Sequence, residues 1–306
     1  FQRSFITMNY LHSYHAGNFA DVVKHVLLLQ LLEQISQKPK PYYVLDAYGG
    51  RGLYSLASDE AKKTGEASRG ITKLLEHVAE HPADKVPTAV QTYLDDISFA
   101  KQFYDKHVYP GSPWFIAHHV EKQEEANPDI HIRADAFEWK ADEYDALNYQ
   151  LHQLPIGIAH RNAYEGITAV IPPAEKRGLI LIDPPFEQEH RDFGALVDLL
   201  VKAHKKWSNG IFALWYPLKN TDAVELFYKK MKRTEIRRQL VLELNVYPPD
   251  LPMGLNGTGM LIINPPWQFD SKAEEILQYL QPILQHPDSP MMSVDQKTKV
   301  QWLVGE

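Results

Sequence analysis

Residues 42–52 read Tyr-Tyr-Val-Leu-Asp-Ala-Tyr-Gly-Gly-Arg-Gly, a short apolar run that closes on an acid and then on Gly49, Gly50 and Gly52. An uninterrupted apolar run of this length is a strand buried on both faces, as in a parallel sheet covered by helices. Glycines at its exit let the backbone turn sharply and come close to a ligand, at the carboxyl ends of the strands where open α/β sheets bind. A third glycine at position 55 would complete the dinucleotide fingerprint, but that position is Ser55, which disfavours hydride transfer.

The rest of the chain is organised around that junction. Upstream, Asn18 is a good N-cap, Asp21 stands three residues on as a capping-box analogue, and 19–35 is apolar at helical spacing until Lys38-Pro39-Lys40-Pro41 ends it. Residues 1–7 are set aside, and Met8 is read as the native start. Between 53 and 112 helical patterns recur at 71–78 and 90–103, with no strand alternation, before Tyr109-Pro110-Gly111-Ser112-Pro113 breaks them. From 130 onward strands alternate with helices, at 130–137, 157–160, 178–183, 210–216, 239–247 and 259–264. With 42–46 this predicts seven strands. Pro248, Pro249, Pro252 and Gly254 leave no room for a helical crossover between the last two, which therefore form a hairpin. The expectation is a mostly parallel sheet with an antiparallel last strand at its edge. Its parts are a helix and first strand (8–52), a helical insertion (53–112) and the remainder of the sheet domain (113–306).

Composition excludes several function classes. The chain of 306 residues is 44% hydrophobic and 23% charged, in the range of soluble globular proteins. It has no cysteine, which removes disulfides, zinc-thiolate sites, iron–sulfur clusters and cysteine nucleophiles and fits a reducing, cytoplasmic location. The apolar runs at 178–183 and 258–263 fall far short of the ~20 residues of a membrane helix, so no membrane association is expected. Net charge is −7, which argues against indiscriminate coating of nucleic acid. Charge is nonetheless segregated: 121–145 holds nine acids, whereas 228–238 sets Lys229, Lys230, Lys232, Arg233, Arg237 and Arg238 against Glu235 alone. That basic run reads either as a solvated helix face or as a phosphate contact. His12 with His15, and His118-His119 with Glu121, are the nearest approach to a metal cluster; without a His-Glu-x-x-His helix, no metal is expected.

The sharpest local signal is Ile180-Leu181-Ile182-Asp183-Pro184-Pro185-Phe186, an apolar strand ending in an acid, two prolines and a ring. It resembles the Asp-Pro-Pro-aromatic motif of amino-group methyltransferases, and the glycine turn headed by Asp46 resembles the S-adenosylmethionine loop of Rossmann-like methyltransferases. The residue types suit that chemistry. An exocyclic base amine is conjugated and weakly nucleophilic, so a carboxylate and a proline carbonyl that accept its N–H bonds orient its lone pair for in-line displacement. The prolines stiffen the loop, and the ring stacks on a base taken out of its helix. A second copy, Asn264-Pro265-Pro266-Trp267, fits the looser form of the motif. Because it closes the antiparallel strand, its prolines are expected opposite the ligand crevice, with Trp267 as packing.

Three further segments complete a family resemblance: 10–25 (Asn18 to His25 included), Tyr109-Pro110-Gly111-Ser112-Pro113 and Ala213-Leu214-Trp215-Tyr216-Pro217. From about Tyr10 to Trp267 the chain is similar to the bacterial 23S ribosomal RNA adenine-N6 methyltransferase family known as RlmJ. The resemblance implies a monomeric, metal-free, Rossmann-like class I methyltransferase with a small helical insertion. Its cofactor would be S-adenosylmethionine, its product S-adenosylhomocysteine and its partner 23S rRNA. It places Lys24, His25, Asp46, Tyr48, Gly50, Ser112, Glu138, Asn162, Ala163 and Asp183 at the cofactor. Asp183, Pro184 and Phe186 would act in catalysis, with Tyr10 and Phe186 against the substrate. Three positions depart from the family pattern: Tyr48 replaces a histidine, Asn162-Ala163 an Asp-Gly, and Phe186 a tyrosine. Phe186 keeps a stacking face, and the Asn162 side-chain oxygen still accepts a bond from adenine without charge assistance. Methylation of DNA adenine or of a protein glutamine, or non-catalytic RNA binding on the same fold, are the competing readings. An Asp183 carboxylate buried in a salt link, or facing away from the glycine bend beneath Asp46, would overturn the enzyme reading.

Overall fold

A computed structural model describes residues 15–82, 85–186, 189–249, 251–252 and 254–305. Helix α1, Phe19–Ser36, begins where the Asn18 side chain accepts the Asp21 N–H at 2.9 Å. The Asp21 carboxylate returns the bond to Gly17 N at 3.0 Å rather than to Asn18, one residue outside the expected capping box. Residues all round α1 are buried, as befits a helix packed on every side. It leads to β1, Tyr42–Asp46.

Residues 53–112 contain β2 (Leu53–Ser55), α2 (Asp59–Thr64), a 3-10 turn (Glu66–Arg69), α3 (Ile71–Glu80), α4 (Thr88–Phe103) and β3 (Val108–Pro110). The two strands were not expected. They pair antiparallel, Leu53 opposite Pro110, and bring the two ends of the segment together. Three residues apiece are too few to show alternation, and their partners lie half a hundred residues apart.

The remainder runs α5 (Ser112–Ala126), β4 (Ile132–Glu138), α6 (Ala141–Leu151), β5 (Gly157–His160), α7 (Ala163–Val170), β6 (Gly178–Ile182), α8 (Glu189–Lys206), β7 (Ile211–Leu218), α9 (Thr221–Lys232), β8 (Gln239–Asn245), β9 (Gly257–Ile263), α10 (Phe269–Leu284), α11 (Val294–Lys297) and β10 (Thr298–Val304). The main sheet has eight strands rather than seven, in the order β10-β8-β9-β7-β6-β1-β4-β5. Strand β9 is antiparallel as expected, but it is neither last nor at the edge. The α9 crossover carries β8 one place beyond β7, and β9 folds back into the gap, pairing with both. Gly259 permits this close packing, because a Cβ there would lie 2.4 Å from the Tyr216 ring. The unexpected β10 then covers β8 as an antiparallel edge strand.

Alternation along the parallel strands divides the core between two helical layers. Tyr42, Val44, Leu179 and Leu181 face α1, α4, α5 and α10, whereas Tyr43, Leu45, Ile180 and Ile182 face α7, α8 and α9. No helix among the described residues is long and apolar enough to cross a membrane.

Candidate active site

Parallel pairing of β4, β1 and β6 sets three acids side by side. Asp46 lies opposite Ala136 on one side and Leu181 on the other, so Asp46, Glu138 and Asp183 all leave the sheet at its carboxyl end. The turn after β1 is held there by Gly49 N–H donating to Phe137 O at 2.8 Å and Gly50 N–H donating to Glu138 Oε2 at 2.9 Å. Gly50 has φ +59°, and a Cβ would meet the Tyr54 hydroxyl. Arg51 makes a bidentate pair with Glu143 of α6, at 3.0 and 2.7 Å, and pins the turn from outside.

These parts enclose a cavity of about 290 Å³. Lys24, His25, Tyr48, Gly50, Ser112, Glu138, Asn162, Ala163, Asp183 and Pro184 all line it, and Asp46 stands buried behind them. The fold thus gathers into one place every expected cofactor-site residue, from segments as distant as α1 and β6. Tyr10 lies outside the described residues. The wall also includes Tyr54, Trp139, Lys140, Tyr164 and Asp192, which sequence reasoning missed. Trp139 is 63% exposed beside the Glu138 it follows, and that adjacency was its only signal.

Each polar group is held by a neighbour. The His25 Nδ1 lies 2.9 Å from the Tyr109 hydroxyl of β3, which lies 3.0 Å from that of Tyr93 on α4. Glu138 accepts Gly50 N–H on one oxygen and Lys140 N–H on the other, at 2.7 Å. Burial pushes its carboxyl above the usual range, against the pull of those N–H groups. Asn162 is the N-cap of α7, and its side-chain oxygen accepts Tyr164 N–H at 2.9 Å, so one lone pair remains for any further donor. Burial, with the Tyr164 hydroxyl beside it, raises the Tyr48 phenol well above its ordinary value. Asp46 accepts Tyr48 N–H on Oδ1 at 3.1 Å, whereas Oδ2 is buried with no hydrogen-bond partner among the described residues. Burial pushes this carboxyl up to about 6, only partly opposed by the Ser112 hydroxyl and Tyr48 N–H.

Asp183 is in an ion pair, which was not expected. Its Oδ2 lies 2.5 Å from Lys24 Nζ, and Lys24 reaches Asp21 Oδ1 at 2.9 Å. Burial by itself would lower the Lys24 pKa; Asp183 and Asp21 together outweigh it and hold the ammonium well above the ordinary lysine value. This is a salt link, but it leaves the carboxylate only partly buried. The Asp183 side chain stays 14% exposed, faces the glycine bend, and also lines a second cavity of about 310 Å³. Lys24 and Asp183 are therefore a shared wall between two cavities. The second is bounded by Phe186, Trp215 and Pro217 on one side and by His15, Asn18 and Glu66 on the other. Phe186 is half-buried, with Phe193 at 5.1 Å and the edge of Trp215 at 5.9 Å. Across from it, burial would raise the Glu66 pKa, but hydrogen bonds from His15 and Asn18 hold it below the ordinary value.

Of the other histidines singled out in the sequence, His118 and His119 are buried in the core, and His12 lies outside the described residues. Burial pushes His119 down to about 3, and its Nε2 lies 2.8 Å from the Tyr42 hydroxyl. His118 lies 3.5 Å from both Asp96 and Glu121.

Residues 39–304 match the family described as Ribosomal RNA large subunit methyltransferase D, RlmJ. The chain is 34% identical over 277 residues to the Ribosomal RNA large subunit methyltransferase J of Haemophilus influenzae, covering 89% of this chain and 92% of that protein. It is 31% identical over 274 residues to the protein of the same name from Escherichia coli, with the same two shares covered. The crystal structure of a Legionella pneumophila protein, 30% identical, matches with a TM-score of 0.77 over 94% of this chain and 98% of that one. The sheet is that of a Rossmann-like class I methyltransferase, with β10 added at the edge. From the glycine turn to the last strand, then, the chain belongs to the RlmJ family of ribosomal RNA large subunit methyltransferases.

Proposed function

We propose that the protein methylates N6 of an adenine in 23S rRNA, with S-adenosylmethionine as donor and the target base turned out of its helix. The observation that carries this reading is the shared wall: two cavities of similar size meet at one carboxylate, as a donor site and an acceptor site must if a methyl group passes directly between them. The names of the relatives support the RNA substrate. The first cavity suits the donor. A buried, unpartnered Asp46 Oδ2 awaits a polar or cationic group, and Gly50 opens the backbone beside Glu138. S-adenosylmethionine supplies a sulfonium-activated methyl group when bound.

The chain's own residues then act by positioning. Lys24 holds Asp183 by Oδ2 and leaves Oδ1 to accept an N–H of the target amine, while the Pro184 carbonyl accepts the other. Phe186 stacks on the base, its plane steadied by Trp215 and Phe193. Trp215 is itself fixed by its Nε1 donating to the Thr258 hydroxyl at 2.7 Å.

Transfer of tritium from labelled S-adenosylmethionine to 23S rRNA lacking the modification tests the reading, with mass mapping to place the label on adenine N6. Label on DNA or protein instead of rRNA would overturn the substrate. Calorimetry without binding at millimolar S-adenosylmethionine would overturn the enzyme and leave an RNA-binding protein.

A further inference from the structure

The second Pro-Pro quartet lines neither cavity, yet the structure leaves its ring in water. Trp267 was expected as packing, and it is 83% exposed. It stands at the amino-terminal end of the sheet, because β9 runs opposite to β6 and delivers its last residue there. The backbone around it is fixed. Asn264 Nδ2 donates to Ser208 O and Gly210 O, both at 2.8 Å, Arg238 Nη2 donates to Pro265 O at 2.9 Å, and Gln34 Nε2 donates to Trp267 O at 3.0 Å. An exposed indole on so rigid a base loses little entropy on meeting a flat partner.

The helices that end at this end of the sheet carry many cations. Helices α8 and α9 both run back from the crevice and end here, as does the turn before β6, which Asn209 ties in by donating to Lys176 O at 3.2 Å. They bring Lys176, Lys202, Lys205, Lys229, Lys232 and Arg233, all exposed and in no ion pair among the described residues. Acids stand in the neighbouring segments too: Glu33 on α1, Glu235 after α9 and Glu274 and Glu275 on α10 are exposed, whereas Asp270, three residues past Trp267, accepts Trp302 Nε1–H at 3.1 Å and Glu175 is taken by Arg133 at 3.0 Å. In a chain of net charge −7 this end is a local reversal of sign. It lies the length of β6 from the crevice, five residues or about 17 Å. The 228–238 run is therefore not beside the reacting atoms.

We propose that this end of the sheet is a second docking surface for the RNA, where Trp267 stacks on an unpaired base and the cations of α8 and α9 neutralise the phosphates beside it. The inference rests on the rRNA substrate proposed above. It assigns Trp267 to capture of the large RNA and not to chemistry.

The test uses full-length 23S rRNA transcribed without modifications. Trp267→Ala should raise Kd about five-fold or more, and Trp267→Phe should restore it. The triple variant Lys229→Gln, Lys232→Gln, Arg233→Gln should lower the slope of log affinity against log salt by about 2–3. Affinity for S-adenosylmethionine and the rate at saturating RNA should not change in any of them. Unchanged Kd and salt slope in a protein that methylates the transcript would overturn the docking surface. A loss of S-adenosylmethionine binding in step with RNA binding would trace the effect to folding and also overturn it. Wild-type protein that binds the transcript and methylates nothing would fail the preceding proposal instead, while the variants' Kd values still decide this one.

Discussion

Asp183-Pro184-Pro185-Phe186 and Asn264-Pro265-Pro266-Trp267 differ by one carboxylate and one ring, and the fold puts them at opposite ends of the same sheet. Strand direction makes the difference. Parallel β6 ends among the glycine turn and α1, where Asp183 meets Lys24 and Phe186 meets Trp215. Antiparallel β9 ends among the turns that open β7 and β8, where Asn264 donates to two carbonyls and Trp267 meets water. A quartet that reads as catalytic in one place is a brace in the other. The motif supplies a rigid acceptor and a ring; what they accept and stack upon is set by the surrounding chain.

Substitutions break or sharpen that contrast unequally. Asp183→Ala should cost about 10²–10³-fold or more in methyl transfer, measured by tritium incorporation at saturating cofactor, since it removes the acceptor that orients the amine. Activity close to wild type would erase the distinction between the two quartets. Lys24→Met leaves the nearly buried Asp21 and Asp183 without their shared cation, and should lower stability by about 3–5 kcal/mol in urea titrations. Phe186→Ala should reduce kcat/KM for RNA about tenfold through lost stacking, with calorimetric affinity for S-adenosylmethionine intact.

Asp46 yields a pH signature. Its carboxyl titrates near 6 in the folded chain against about 4 when unfolded, so the folded state favours the neutral form. Its stabilising contribution is complete below pH 4 and is lost as pH rises through 6. Asp46→Asn should therefore gain stability on wild type across that window, by up to about 3 kcal/mol in denaturation at pH 4 and 7. A cationic ligand group would favour the charged form, so wild-type affinity for S-adenosylmethionine should fall as pH drops below 6, and this dependence should vanish in Asp46→Asn.

The smallest effect is the most direct test of the comparison. Asn264→Asp completes a second Asp-Pro-Pro-aromatic quartet, but turns a carboxylate toward the carbonyls of Ser208 and Gly210. It should cost about 1–3 kcal/mol in stability and restore no methyl transfer in an Asp183→Ala background. Rescue there would show that the quartet is catalytic wherever it stands.

Much of the site was legible before folding was known, because its elements are local. A strand running into glycines, an acid before two prolines and a capped apolar helix each declare themselves within a dozen residues, and the hairpin direction of β9 followed from the short, proline-rich link before it. The features that were not legible depend on distance along the chain. Strand β10 pairs with β8 across more than fifty residues. Ribbon β2–β3 joins the two ends of a sixty-residue segment. The Lys24–Asp183 pair spans 159 positions, and nothing near either residue announces the other.

By itself the sequence determined seven of the eight strands of the main sheet, the capped first helix and where the backbone must turn on glycine, because propensity, capping and loop stiffness act over a few residues. Only the tertiary structure decided that β9 lies inside the sheet, that Asp183 shares its charge with Lys24 between two cavities, and that Trp267 faces water at the end of the sheet away from the crevice. Those outcomes depend on which distant surfaces bury one another, a free energy no single segment contains.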